Sequence, residues 1–192
     1  VKWYWWIIIV VVIVLIIYRK RASKFVMETW NDLVTNQRIQ SLHPAIREKA
    51  KAFIAEAARQ GIKLRMIEGL RSFDRSNALF NQPFDGKDND GDGKIDETDE
   101  KVTNAKGGQS YHNYGLAFDV VEIKNGKGVW ENPNWPKIGA IGKSFGFRWG
   151  GDFKSLVDRP HFEYSAGFSV SQLLAMHNAG KKDADGYLTN IA

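Results

Sequence analysis

No cysteine occurs among the 192 residues, so disulfide frameworks and thiolate metal sites are both excluded. Any metal held by this chain must be bound by imidazole and carboxylate, which suits zinc or calcium. Histidine is scarce too: there are four, His43, His112, His161 and His177. An excess of positive charge is missing from most of the chain. The formal net charge is +5, yet Lys2, Arg19, Lys20, Arg21 and Lys24 account for all of it, and the remainder carries 22 residues of each sign. A footprint for phosphate backbones would have to lie on the folded part, so no nucleic-acid partner is expected.

What the chain does have begins with an unbroken apolar run, WYWWIIIVVVIVLIIY over residues 3–18, closed by RKR. A spanning helix needs about 20 apolar residues, and snorkelling of Lys2 and Arg19 extends the reach of a slightly short run. Trp3, Trp5, Trp6 and Tyr18 stand where interfacial aromatics are expected. No small-residue cleavage pattern follows, so a single-pass anchor is expected over 1–21 rather than a removed signal. The basic residues after the run favour a cytoplasmic C-terminal side.

Residues 22–37 read as a polar linker with little periodicity. From Pro44 to Gln60, Ile46, Ala50, Phe53, Ile54 and Ala57 fall on one helical face, and Gly61 ends the pattern. Strands are predicted over 62–72, 116–123, 147–151 and 161–165, and helices over 73–80, 135–146 and 170–180. Helices with mostly unconnected short strands imply an α+β domain, a small antiparallel sheet flanked by helices.

Context separates the histidines. His43 precedes Pro44 at a helix start and suits a capping role, while His177 lies in a last helical turn, where positive charge suits the dipole. His112 (SYHNYGLAFD) and His161 (DRPHFE) stand at loop-to-strand junctions rich in Gly, Pro and Asp. His112 and Asp119 are seven apart, so a regular strand would point them to opposite faces. The intervening Asn-Tyr-Gly supplies a bend that lets both face one ion. Two imidazoles and one carboxylate leave zinc a fourth position for water, the catalytic rather than the structural arrangement.

These motifs resemble those of the zinc D-alanyl-D-alanine carboxypeptidase and L-alanyl-D-glutamate endopeptidase family. The resemblance runs from about Arg38 to Ala175 through RIQSLHP, EGLRSF, KGGQSYHNYGLAFD, FRWGGDF and DRPHFE, in that order. Asp158 of DRPHFE, where the carboxypeptidase branch has glutamate, looks like the endopeptidase branch. The resemblance implies a Hedgehog/DD-peptidase-like fold over 38–180, followed by a tail, 181–192. It implies zinc on His112, Asp119 and His161. Asp158 matches the general base that activates water and later protonates the leaving amine. Arg71 matches the arginine that stabilises charge developing on the scissile carbonyl, and Ser110 a residue beside the site that contacts substrate. Asp152 and Glu163, both close by, suit turn-capping or support of a ligand rather than catalysis.

One segment departs from the family. FDGKDNDGDGKIDETDEK sets eight acids against two lysines between Asp85 and Glu100. Asp88, Asp90 and Asp92 occupy positions 1, 3 and 5 of a calcium loop, with Gly93 at the sharp turn. Lys94 would bind through its carbonyl, Asp96 follows at position 9, and Asp99 replaces the usual final glutamate. Calcium is therefore expected in the insert, 85–100.

The implied activity is a membrane-tethered, monomeric zinc peptidase acting on the peptidoglycan stem peptide at the L-alanyl-D-glutamate bond, in cell-wall remodelling or endolysin-like lysis. A D-alanyl-D-alanine carboxypeptidase is the alternative within the family. A non-catalytic cell-wall or metal-binding module is the alternative of another class. A catalytic domain facing the cell wall conflicts with the orientation that the basic residues favour.

Overall fold

The computed structural model describes residues 3–95 and 98–191, and their side chains except those of 3–11, 23–31 and 99. Helix α1 spans Trp3–Ser41, α2 Pro44–Arg59, α3 Phe73–Asn81, α4 Trp135–Ser144 and α5 Val170–Asn178. The strands are β1 Leu64–Glu68, β2 Ala117–Lys124, β3 Lys127–Val129, β4 Arg148–Trp149 and β5 His161–Glu163. They form one antiparallel sheet in the order β1-β2-β5-β4, with β3 folding back along the end of β2. The α+β architecture is as expected.

The segment read as a polar linker is helical. Its inward positions are partly polar, which hid the period: Thr35 and Ile39 are buried, Thr35 Oγ1 accepts from Met66 N at 3.3 Å, and Arg38 donates to Met66 O at 2.6 Å. These contacts clamp the end of α1 to β1. The apolar run lies in the same helix. Among the described residues, no helix is long and apolar enough to cross a membrane. The first part of the run has side chains outside the described residues; Val12 through Tyr18 are exposed.

His43 caps α2, its Nδ1 accepting from Ala45 N at 3.2 Å while its other ring nitrogen donates to Leu188 O at 2.9 Å. The second bond ties the C-terminal tail to the domain, and Leu188 is buried. Helix α2 buries Ile46, Ala50, Phe53 and Ala57. The Phe53 ring packs 4.9 Å from Phe162 of β5 and 5.9 Å from Phe118 of β2. Helix α4 approaches the sheet so closely that a Cβ at Gly142 would stand 2.2 Å from the Phe162 ring, and one at Gly139 2.3 Å from Trp149. Glycine costs a helix about 1 kcal/mol relative to alanine; here contact with two aromatic rings offsets that cost. This packing holds β4 and β5, and with them His161, against the core.

Candidate active site

Asp119 is the centre of a row across three strands. The register pairs it with His161 of β5 on one side and Glu68 of β1 on the other. A register shift between Met66 and Glu68 interrupts β1, the kind of irregularity that re-aims a side chain next to a site. His112 reaches the same face from a short 3₁₀ turn, Tyr111–Tyr114. Ser110 caps that turn, its Oγ accepting from His112 N at 3.3 Å while Asn113 Oδ1 accepts from Ser110 N at 3.2 Å. Gly115 ends it with φ 66°, and a Cβ there would meet His43 N at 2.7 Å. The bend expected between His112 and Asp119 is therefore this turn and its left-handed glycine.

Three donor atoms converge. His112 Nε2 and His161 Nδ1 are 3.1 Å apart, and Asp119 Oδ1 lies 3.3 Å from the first and 3.1 Å from the second. Bonds of about 2.0–2.1 Å around a tetrahedral ion give donor–donor edges of about 3.3 Å. The outer ring nitrogens decide the tautomers. His112 Nδ1 meets Gly69 O at 2.9 Å, and His161 Nε2 meets Glu163 Oε2 at 3.1 Å. Both partners accept, so both outer nitrogens donate, and each inner nitrogen is left to turn a proton, or with a metal there a lone pair, into the shared space. That space favours positive charge: burial alone would lower the His161 pKa, yet Asp119 and Glu163 push it up to about 9. Burial would likewise raise Asp119, but the two imidazoles hold it far below the ordinary carboxylate range. The donor set thus fits a metal cation.

Arg71, Ser110 and Asp158 line the same cleft as these three residues, a space of ≈ 270 Å³. Gly150 O accepts from Asp158 N at 3.0 Å, and Asp158 O accepts from His161 N at 3.2 Å, so the base candidate and a ligand share one tight loop. Burial, then the Asp119 charge, raises the Asp158 pKa. Arg71 has a side chain only 12% exposed, with Nη2 3.5 Å from Glu68 and 4.0 Å from Asp119. Its buried Nε has no hydrogen-bond partner among the described residues.

A family described as D-alanyl-D-alanine carboxypeptidase matches residues 103–164, the stretch from the acidic insert through β5. The peptidoglycan L-alanyl-D-glutamate endopeptidase CwlK of Bacillus subtilis is 39% identical over 132 residues, which cover 64% of this chain and 72% of that protein. The chain belongs to this peptidase family. An L-alanyl-D-glutamate peptidase of Listeria phage A118 is 41% identical over 61 residues, 30% of this chain and 21% of the phage protein. Among solved structures, a Serratia marcescens L-Ala D-Glu endopeptidase aligns over 68% of this chain and 85% of its own, with 23% identity and a TM-score of 0.45.

Glu163, expected in turn-capping or support of a ligand, holds His161 and also pairs with Arg148 at 3.0 Å; its spacing of two from His161 on a strand puts both on one face. Two other supporting residues, Glu68 and Trp130, escape the motif reading. Glu68 holds Arg71 and pairs with Arg75 at 3.2 Å. Trp130 lines the cleft from the far end of the β3 hairpin, and no local pattern points to it. Asp152 pairs with Lys143 at 2.7 Å, away from the metal donors.

In the acidic insert, carboxylate oxygens of Asp88, Asp90 and Glu100 lie within 4.8 Å of one another. Asp92 is not in this group; its Oδ2 pairs with Lys94 Nζ at 3.0 Å and its Oδ1 accepts from Lys94 N at 2.9 Å. Asp96 lies outside the described residues, as does the side chain of Asp99. Glu100 is buried where most of the insert is exposed. Amide hydrogens of Gly91 and Gly93 hold the Asp88 pKa below its ordinary value.

Proposed function

We propose that this chain is a zinc peptidase that hydrolyses the stem peptide of bacterial peptidoglycan at the L-alanyl-D-glutamate bond. The observation that carries the reading is the convergence of two tautomer-fixed imidazoles and Asp119 in one cleft with Asp158 and Arg71. Its substrate comes from the 39% identity to an enzyme of that name. Zinc held by His112, Asp119 and His161 would polarise the scissile carbonyl and make water easier to deprotonate. Asp158 takes the proton of the attacking water and returns it to the leaving amine; a raised pKa suits both halves of that task. Arg71 Nε faces the carbonyl oxygen as negative charge develops there. Ser110 borders the cleft and contacts substrate.

Digestion of defined muropeptides by the zinc-loaded chain, read by mass spectrometry, tests this. New amino-terminal glutamate is expected. Release of terminal D-alanine instead would mean a carboxypeptidase, and no cleavage at all a non-catalytic module.

Glu163→Gln is expected to weaken metal affinity by about 10- to 100-fold, because the carboxylate that orients His161 is lost. Competition against a chromogenic chelator measures it; an unchanged Kd would remove Glu163 from the site's support.

The acidic insert is proposed to bind calcium through Asp88 and Asp90, with the Asp92, Lys94, Asp96 and Asp99 positions completing the loop and Glu100 adding a further carboxylate. The grouping of Asp88, Asp90 and Glu100 supports this. Saturating calcium, at about 100 times Kd, stabilises by about 2.7 kcal/mol, which for a chain of this size raises Tm by about 5–10 °C. A calorimetric scan with zinc retained checks it, and an unmoved Tm on adding and removing calcium rejects it.

Residues 3–18 are proposed as a membrane anchor. The support is Val12 through Tyr18, seven consecutive large hydrophobic side chains 44–71% exposed around the helix, since a helix apolar on all sides is covered by protein or lipid. Retention of the full chain in carbonate-washed membranes tests the anchor, and protease protection tests which side the catalytic domain faces.

A further inference from the structure

A second hollow adjoins the metal cleft, and Trp130 lines both. Its walls include Trp130, Trp135, Pro133, Glu131 and Arg159, around ≈ 610 Å³. The residues flanking Arg159 belong to the other side: Asp158 and Pro160 line the metal cleft. Arg159 is thus the one member of the DRPH loop turned to the neighbouring hollow. Its backbone is fixed, since Arg159 O accepts from Trp149 Nε1 at 2.7 Å. Its guanidinium is exposed, and among the described residues no ion pair or hydrogen bond engages it, Glu131 included.

We infer that this hollow is a subsite for the carboxylate of the residue that leaves as the amine, with Arg159 as its specificity-determining residue; the inference rests on the reading of the cleft as an L-alanyl-D-glutamate peptidase. Asp158 meets the leaving nitrogen, so the residue bearing that nitrogen lies along the border that Asp158, Trp130 and Arg159 share. Glutamate has two carboxyl groups and only one can continue the peptide. The other remains a free anion close to the scissile bond. A fork of guanidinium donors recognises such a group in a planar, two-bond geometry. The Trp130 ring shields the pair from water on one side and packs on the methylene groups of the same residue.

The test uses the full zinc-loaded chain and two peptides, identical except that the leaving residue carries its free carboxylate or the isosteric neutral amide. KM for the carboxylate peptide is expected to be about threefold to tenfold lower than for the amide, as befits one ion pair at a solvent-bordered rim. Arg159→Gln should collapse that ratio to about one, and Arg159→Lys should keep part of it. Loss of the ratio in Arg159→Gln, with Tm as in the parent chain, supports the subsite. A parent chain that does not discriminate overturns it, and so does a ratio unchanged in Arg159→Gln. If Arg159→Gln fails to fold, Arg159→Lys decides: a ratio identical to the parent overturns the subsite and a reduced one supports it. Cleavage of neither peptide overturns the peptidase reading itself, and the subsite with it.

Discussion

Asp158→Asn is expected to lower kcat by about 100- to 10,000-fold while metal content stays that of the parent chain, because positioned proton transfer contributes on that scale. The amide has the shape of the carboxylate but cannot take a proton from water. The substitution also leaves the loop intact: both hydrogen bonds that hold this residue, to Gly150 O and from His161 N, are made by backbone atoms. Asp158 is not among the three converging donors, so a fall in activity without a fall in zinc separates proton transfer from metal binding. Steady-state kinetics on a stem-peptide substrate, with metal analysis of the same sample, measures both. A kcat within threefold of the parent would exclude Asp158 as the base.

Much of this site was legible because its ligands lie in short motifs whose local structure is nearly self-contained. The stretch SYHNYGLAFD encodes a capped turn, a left-handed glycine and the start of a strand within ten residues. What joins that stretch to His161 is strand pairing 42 residues along the chain, and only the resemblance of several motifs in order connected the two. Elements whose inward residues are apolar were also readable, α2 above all. The end of α1 was not, since Thr35 and Arg38 spend their polar groups on the β1 backbone and break the apolar period. The calcium pattern gave no place to Glu100, which is buried and groups with Asp88 and Asp90. Thr98–Glu100 form a 3₁₀ turn, and whether such a turn buries an acid depends on what it packs against. Glu68 was missed, and Glu163 left between turn-capping and support of a ligand, for a different reason. Their roles lie in what they hold, Arg71 and His161, and that depends on strand register and an irregularity in β1.

Arg71→Lys is expected to reduce kcat by about 100- to 1,000-fold with little change in KM, although the formal charge is kept. The reason lies in how the guanidinium is divided. Its Nη2 is directed to Glu68 and Asp119, while Nε is buried and has no hydrogen-bond partner among the described residues. A buried donor without a partner costs about 1–3 kcal/mol, a cost that charge developing on a substrate oxygen would offset at the moment of reaction. Removing one such donor costs about 100- to 1,000-fold in kcat where it has been assessed in hydrolases. Lysine brings a single nitrogen on a flexible stem. That nitrogen can satisfy the Glu68 and Asp119 carboxylates or face the substrate, but it lacks the rigid fork that does both. Because the charge beside Asp119 is preserved, metal content should match the parent chain, and a loss of zinc would point to a structural role for Arg71 instead. Activity within fivefold of the parent would show that positive charge alone suffices, and that the free Nε is not the group that meets the carbonyl.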